Sequence, residues 1–136
     1  MRSYRQSSPP NEDDVSAVIV DAAIEVHRTL GGPGLLESVY EEALAYELQL
    51  RGLTVRRQVP VPLWYKGQKL EKPLRLDMLV EECVVVESKA VEQYNKINQA
   101  QALTYIRLTK LKLAIVINFG EKLVSRGIHR VINKLA

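Results

Sequence analysis

At 136 residues, 46% apolar and 26% charged, the chain supports one globular domain with a sizeable core, and it has no run of about 18 apolar residues to span a membrane. One cysteine, Cys83, excludes a disulfide framework, a cysteine zinc site and a cysteine-ligated iron–sulfur cluster. The opening MRSYRQSSPPNEDD has no apolar h-region, so the expected location is the cytoplasm. The net charge of +3 hides an asymmetry: residues 1–50 carry three Lys/Arg against nine Asp/Glu, and residues 51–136 carry sixteen against seven.

Residues 1–12 are polar, contain Pro9-Pro10, and are expected to form a disordered tail ahead of a single domain over 13–136. Asn11 or Asp13 suits a helix N-cap. Val15, Val18, Ile19, Ala22, Val26 and Leu30 then recur at helical spacing until Gly31-Gly32-Pro33-Gly34 stops the helix. His27, near its end, reads as a packed or surface side chain rather than a ligand. A second helix is predicted from about Leu35 to Arg51, with Gly52 after it and a stripe of Leu36, Val39, Tyr40, Ala43, Leu44 and Leu48. Glu37 falls in its first turn. There a carboxylate suits the helix dipole, or serves as a third acidic group at a site formed elsewhere.

A β region follows. Leu53–Pro60 and Leu63–Tyr65 read as extended, Lys66-Gly67-Gln68 as a turn and Lys69–Leu70 as a return strand. Pro60, Pro62 and Pro73 place these strands at an edge. Arg51, Arg56, Arg57, Lys66, Lys69, Lys72 and Arg75 lie close together in sequence, a set able to hold a phosphate backbone or simply to be solvated. Trp64 and Tyr65 read as packing or rim residues, or as aromatics for stacking on a base.

The central stretch is LRLDMLVEECVVVESKA, Leu74 to Ala90. Period-two alternation puts Leu76, Met78 and Val80 on one face and Arg75, Asp77 and Leu79 on the other. Beyond the turn, Val84 and Val86 share a face, and Val85, Glu87 and Lys89 share the opposite one. For both apolar sets to reach one core, Val80 pairs with Val84, leaving the three-residue connection Glu81-Glu82-Cys83. That register sets Asp77 across from Glu87, and Arg75 across from Lys89. Two opposed carboxylates repel, and a divalent cation between them removes the conflict. Lys89 points the same way, where it can steady developing charge or orient a water. An ordinary solvated face is the alternative.

A helix is predicted from Val91 to about Lys110, with Ile97, Ala100, Leu103, Thr104 and Leu108 toward the sheet, and Asn98, Gln101 and Tyr105 in a row facing the Glu87–Lys89 edge. Leu111–Phe119 is a strand buried on both faces. Strand, helix and strand at this length make a right-handed parallel crossover. Gly120 to Ala136 holds a turn and one short element.

These pieces resemble a known family. Gly34-Leu35-Leu36-Glu37-Ser38-Val39-Tyr40 fits the motif that names the GxxExxY family, grouped with the PD-(D/E)xK nuclease-like superfamily. RLDMLVE, VVVESKA, Gln101 with Tyr105, and Ile117–Gly120 follow in the superfamily's order. Ser88, where the family is more often apolar, and Leu76, where the superfamily nominally has proline, depart from the pattern. The resemblance implies an α/β fold with a restriction-endonuclease-like core, a mixed β-sheet flanked by helices. It implies Mg2+ (or Mn2+) on Asp77, Glu87 and Glu37, with Lys89, Gln101 and Tyr105 completing a catalytic set that hydrolyses nucleic acid, DNA foremost. A 136-residue chain has no room for a separate specificity domain, which implies a homodimer or a partner protein. The alternative is a non-catalytic nucleic-acid- or protein-binding module on the same fold.

Overall fold

The structure, a computed structural model, describes residues 11–135. The tail expected over residues 1–12 therefore lies outside the described residues as far as residue 10. Asn11 and Glu12 already belong to the first helix, α1 (Glu12–Thr29). Asn11 is its N-cap, its side chain accepting the Asp14 N–H at 2.8 Å. α2 (Glu37–Leu50) follows the glycine-rich loop. Then come β1 (Val55–Val61), the short strands β2 (Trp64–Tyr65) and β3 (Gln68–Lys69), β4 (Leu74–Val80), β5 (Val84–Lys89), α3 (Ile97–Thr109), β6 (Leu113–Asn118), a 3-10 turn over Val124–Gly127, and β7 (Ile128–Ile132).

Five strands form one mixed sheet in the order β1-β4-β5-β6-β7, while β2 and β3 pair only with each other. β5 and β6 are parallel and the other neighbours antiparallel. β1 is thus an edge strand, which is where a Pro60 without an N–H is tolerated. β6 lies inside the sheet and all six of its residues are buried, as its unbroken apolar run requires.

Helices cover both faces. One core layer joins α1 and α2 (Ile19, Val26, Tyr40, Leu44) to Met78, Val80, Val86 and Ile115. The other joins Ala102 and Ile106 of α3 to Leu76, Leu79, Val85 and Val116. The fold is the expected α/β core with a mixed sheet between helices.

Three local expectations are corrected. The 91–96 segment is not helical, because Asn118 holds its start from across the chain: its Oδ1 accepts the Val91 N–H at 3.0 Å and its Nδ2 donates to the Val91 carbonyl at 2.9 Å. α3 buries Ala102 and Ile106, not Ile97 and Leu108, which are exposed. α2 turns Tyr40, Glu41, Leu44, Ala45 and Leu48 inward, and Leu36 and Val39 are exposed at its N-terminal end.

Candidate functional site

The β4–β5 hairpin has the expected register: Val80 pairs with Val84 and Met78 with Val86. Glu81 and Glu82, both at positive φ, and Cys83 make the connection. The Glu81 carboxylate accepts the Thr54 N–H at 2.6 Å, tying the turn to the start of β1. Cys83 is half-buried, and its thiol is pushed up to about 11 by burial and then by nearby acidic charge.

The ladder stops at the Met78–Val86 pair. At the next position the side chains take over: the Asp77 N–H donates to Glu87 Oε2 at 3.0 Å, and the Ser88 N–H donates to Asp77 Oδ2 at 3.0 Å. Each carboxylate is fixed by the other strand's backbone, and the strands part beyond it. Arg75 therefore does not face Lys89. Its guanidinium turns back to the Gln58 carbonyl at 3.1 Å, and Lys89 registers with Asn118 of β6.

β1 is irregular at the same level. Its register passes from Arg57–Met78 to Val59–Leu76, leaving Gln58 and Asp77 out of the pairing, and Gln58 has φ of +51°. Such an interruption re-aims side chains in a strand. It also corrects the expected alternation: Leu76 packs with Leu79 on the α3 side, while Met78 and Val80 pack against α1 and α2.

Electrostatics show which groups share the site. Glu87 is buried, and burial followed by the charge of Asp77 pushes its carboxyl up to about 8, against the pull of Lys89. Asp77 is raised first by burial and then by Glu41, opposed by the Ser88 N–H and Lys89. Glu37 sits at the exposed rim in the first turn of α2. It too is raised, by desolvation ahead of the charges of Asp77 and Glu41, and lowered by Lys89. The Tyr105 hydroxyl is raised by burial and then by Glu87 and Asp77. Asp77 thus feels Lys89 and acts on Glu87, Glu37 and Tyr105, while Lys89 acts on all three carboxylates. Gln101, one turn before Tyr105, is exposed and makes no hydrogen bond to the carboxylates. Among the described residues Lys89 forms no salt bridge with them.

Glu41 is a neighbour that sequence reasoning missed. It is buried, 4% exposed, and its carboxylate is held by Arg57 at 3.1 Å and by the Gln58 amide at 3.2 Å. The available signal was its position four residues after Glu37, on the same helical face.

The frame around these groups is rigid. Tyr40 is fully buried. Its hydroxyl donates to the Gly32 carbonyl at 2.6 Å and accepts the Leu35 N–H at 3.1 Å, fixing the loop that leads into Glu37. Its ring stacks on Phe119 at 4.8 Å with an interplanar angle of 2°. Phe119 in turn donates its N–H to the Lys89 carbonyl at 2.8 Å, and its own carbonyl meets Nε2 of the buried His27 at 3.2 Å. Gly120 is needed for close approach, since a Cβ there would lie 2.2 Å from the Val91 carbonyl oxygen. A groove of about 410 Å³ runs between Pro33–Leu35 and Ala90–Glu92.

The donor set suits a hard divalent cation. At these carboxylates burial and nearby acidic charge outweigh the pull of Lys89, and Asp77 and Glu87 each commit one oxygen to a backbone N–H and leave the other without a hydrogen bond among the described residues. No group of three His, Cys, Asp or Glu side chains among the described residues is gathered closely enough to hold an ion by itself. Magnesium is compatible with that, because it usually keeps several waters and takes one or two carboxylates together with substrate oxygens.

No helix among the described residues is long and apolar enough to cross a membrane. Comparison with curated proteins found no match, nor did comparison with solved structures. The family model for the PD-(D/E)XK nuclease superfamily matches residues 13–131, a span that contains both strands of the carboxylate hairpin, α2, α3 and all of α1 but its first residue. On that match, over most of its length, the chain belongs to the PD-(D/E)XK nuclease superfamily.

Proposed function

We propose that the protein is a metal-dependent nuclease of the GxxExxY branch, cleaving phosphodiester bonds of DNA at Asp77, Glu87 and Lys89. The observation that carries this reading is the hairpin in which Asp77 and Glu87 each capture the other strand's N–H, beside a Lys89 that forms no salt bridge among the described residues. A scaffold gains nothing from setting the charge of Asp77 beside a buried Glu87, whose pKa it raises beyond what burial alone does.

Asp77 and Glu87 would hold magnesium or manganese with their uncommitted oxygens, and Glu37 would reach it from the rim through water. Bound there, the ion would acidify a water and offset charge at the phosphate. Lys89 orients the attacking water or stabilises the phosphate oxygens as charge develops. Tyr105 would help position the phosphate backbone, its hydroxyl raised by burial and then by the charges of Glu87 and Asp77. Glu41, clamped by Arg57 and Gln58, holds α2 against β1 and so sets the position of Glu37. Gln101, at the exposed side of α3, meets the backbone of a bound strand.

The second reading, a nucleic-acid-binding module without turnover, draws on the lack of a preassembled three-donor group among the described residues. One assay separates them: cleavage of labelled single-stranded, duplex and branched DNA with magnesium or manganese, against EDTA and Lys89→Ala. The nuclease reading predicts metal-dependent products that Lys89→Ala loses. Activity equal in the variant would remove Lys89 from the mechanism, and binding without products would favour the module.

A further inference from the structure

The β2–β3 hairpin is unexplained by the fold. It pairs only Trp64 with Lys69 and Tyr65 with Gln68, and adds no strand to the main sheet. A hairpin this short is marginal without other support. Its two large aromatics contribute almost nothing to the core: Trp64 is 64% exposed and Tyr65 is 61% exposed. The arm is nevertheless built stiffly. Lys66 and Gly67 both take positive φ, as a tight two-residue hairpin turn requires. The Leu70 N–H closes the base on the Leu63 carbonyl at 2.9 Å, and Pro62 and Pro73 restrict the chain on either side.

Its charge is one-sided. Between Pro62 and Arg75 the chain carries Lys66, Lys69, Lys72 and Arg75 against Glu71. All four cations are exposed, and none forms a salt bridge among the described residues. Lys66 lies over the Tyr65 ring at 5.4 Å, and among the described residues no cation lies over the Trp64 ring. Exposed aromatics set among unpaired cations are how proteins hold a single strand without reading its sequence: bases stack on the rings while the cations follow the phosphates.

Position links the arm to the site. β3 leads into β4, and β4 and β5 part at the end where β4 begins and β5 finishes in Lys89. From Leu74 to Asp77 is three residues, roughly 10 Å of strand. Arg75 stands between them, its side chain on the Gln58 carbonyl beside Asp77.

We propose that the β2–β3 hairpin is a stacking arm that grips an unpaired segment of nucleic acid, with bases on Trp64 and Tyr65 and phosphates on Lys66, Lys69 and Lys72. The substrate of the site is then one with a single-stranded stretch next to the cleaved bond. This rests on the nuclease reading for its substrate class but not for its test.

Trp64 is the only tryptophan in the sequence, so its emission reports on the arm alone. The experiment titrates short oligo(dT), oligo(U) and a blunt duplex into the full chain in EDTA, following Trp64 fluorescence. Anisotropy of labelled oligonucleotides then gives affinities for wild type and for the Trp64→Ala/Tyr65→Ala double variant. The expected result is saturable, salt-sensitive quenching by a single strand and not by the blunt duplex. The double variant should bind the single strand roughly tenfold or more weakly, with duplex binding changed less than about twofold. Single-strand binding without quenching, equal affinity in the variant, or no binding of any oligonucleotide would each overturn the arm. Quenching in a protein that never cleaves with magnesium would leave the arm standing and remove the nuclease, and cleavage with an unaffected double variant would do the reverse.

Discussion

The Asp77 N–H donates to Glu87 Oε2 at 3.0 Å, at the point where the β4–β5 ladder would otherwise continue through backbone groups. Two acids exchange backbone hydrogen bonds instead of the backbone itself, and the strands open there. The result is a notch at the sheet's end, with a carboxylate from each strand and Lys89 two residues along.

Loss of either acid should cost chemistry rather than folding. Asp77→Asn and Glu87→Gln keep the shapes and remove charge that burial opposes. Each is expected to lower metal-dependent cleavage about 10³-fold or more with the thermal midpoint in EDTA unchanged or raised. Lys89→Ala should lower turnover by on the order of 10²–10³-fold while leaving the midpoint within a few degrees. A variant that loses activity only by unfolding, seen by circular dichroism, would contradict the assignment.

Glu87 gives stability a pH signature. Its carboxyl is raised from the ordinary unfolded value to about 8 by burial and then by Asp77, so between those values the folded state binds more protons than the unfolded one. The contribution of Glu87 to stability is therefore fully present below about pH 4.3 and lost as the pH rises through about 8. Asp77 and Glu37, also raised, act in the same direction. Thermal midpoints in EDTA should fall across that window, and Glu87→Gln should flatten the fall. A divalent metal bound at the proposed site would displace the same proton, so its affinity should climb over the same range. A midpoint rising with pH in wild type and variant alike would be inconsistent with this.

Ser88 offers a gain. Its side chain is fully buried and Oγ has no hydrogen-bond partner among the described residues. Ser88→Ala removes an unsatisfied hydroxyl and should stabilise the protein by about 1 kcal/mol in urea unfolding, with cleavage unchanged. A loss of stability would show that the hydroxyl has a partner in solution.

Tyr40 connects the glycine-rich loop to the site. Tyr40→Phe keeps the stack on Phe119 but drops the bonds to Gly32 and Leu35. A cost of roughly 1–3 kcal/mol is expected. Faster hydrogen exchange at Leu35 should accompany it, since its N–H loses its acceptor.

The β4–β5 register was legible because period-two patterning and a three-residue turn admit one solution that buries both valine sets. The parallel β5–α3–β6 unit was legible from an apolar run too continuous for an edge. The face of Leu76, opposite to Met78 and Val80, was not. It depends on Gln58, a non-glycine residue at positive φ on another strand, and nothing local to β4 announces it. The false start of α3 has the same cause: Val91 is held by Asn118, 27 residues away. Glu41 escaped notice because its one sequence signal, a place four residues after Glu37, gains meaning only when Arg57 and Gln58 are brought beside it.

The most direct test is a crystal soaked in manganese chloride, with an anomalous difference map. It needs no choice of substrate. The account predicts a peak bound by the Asp77 and Glu87 carboxylates, with Glu37 reaching it through water. At a saturating concentration, a map without that peak, with Lys89 turned between the two carboxylates, would contradict it.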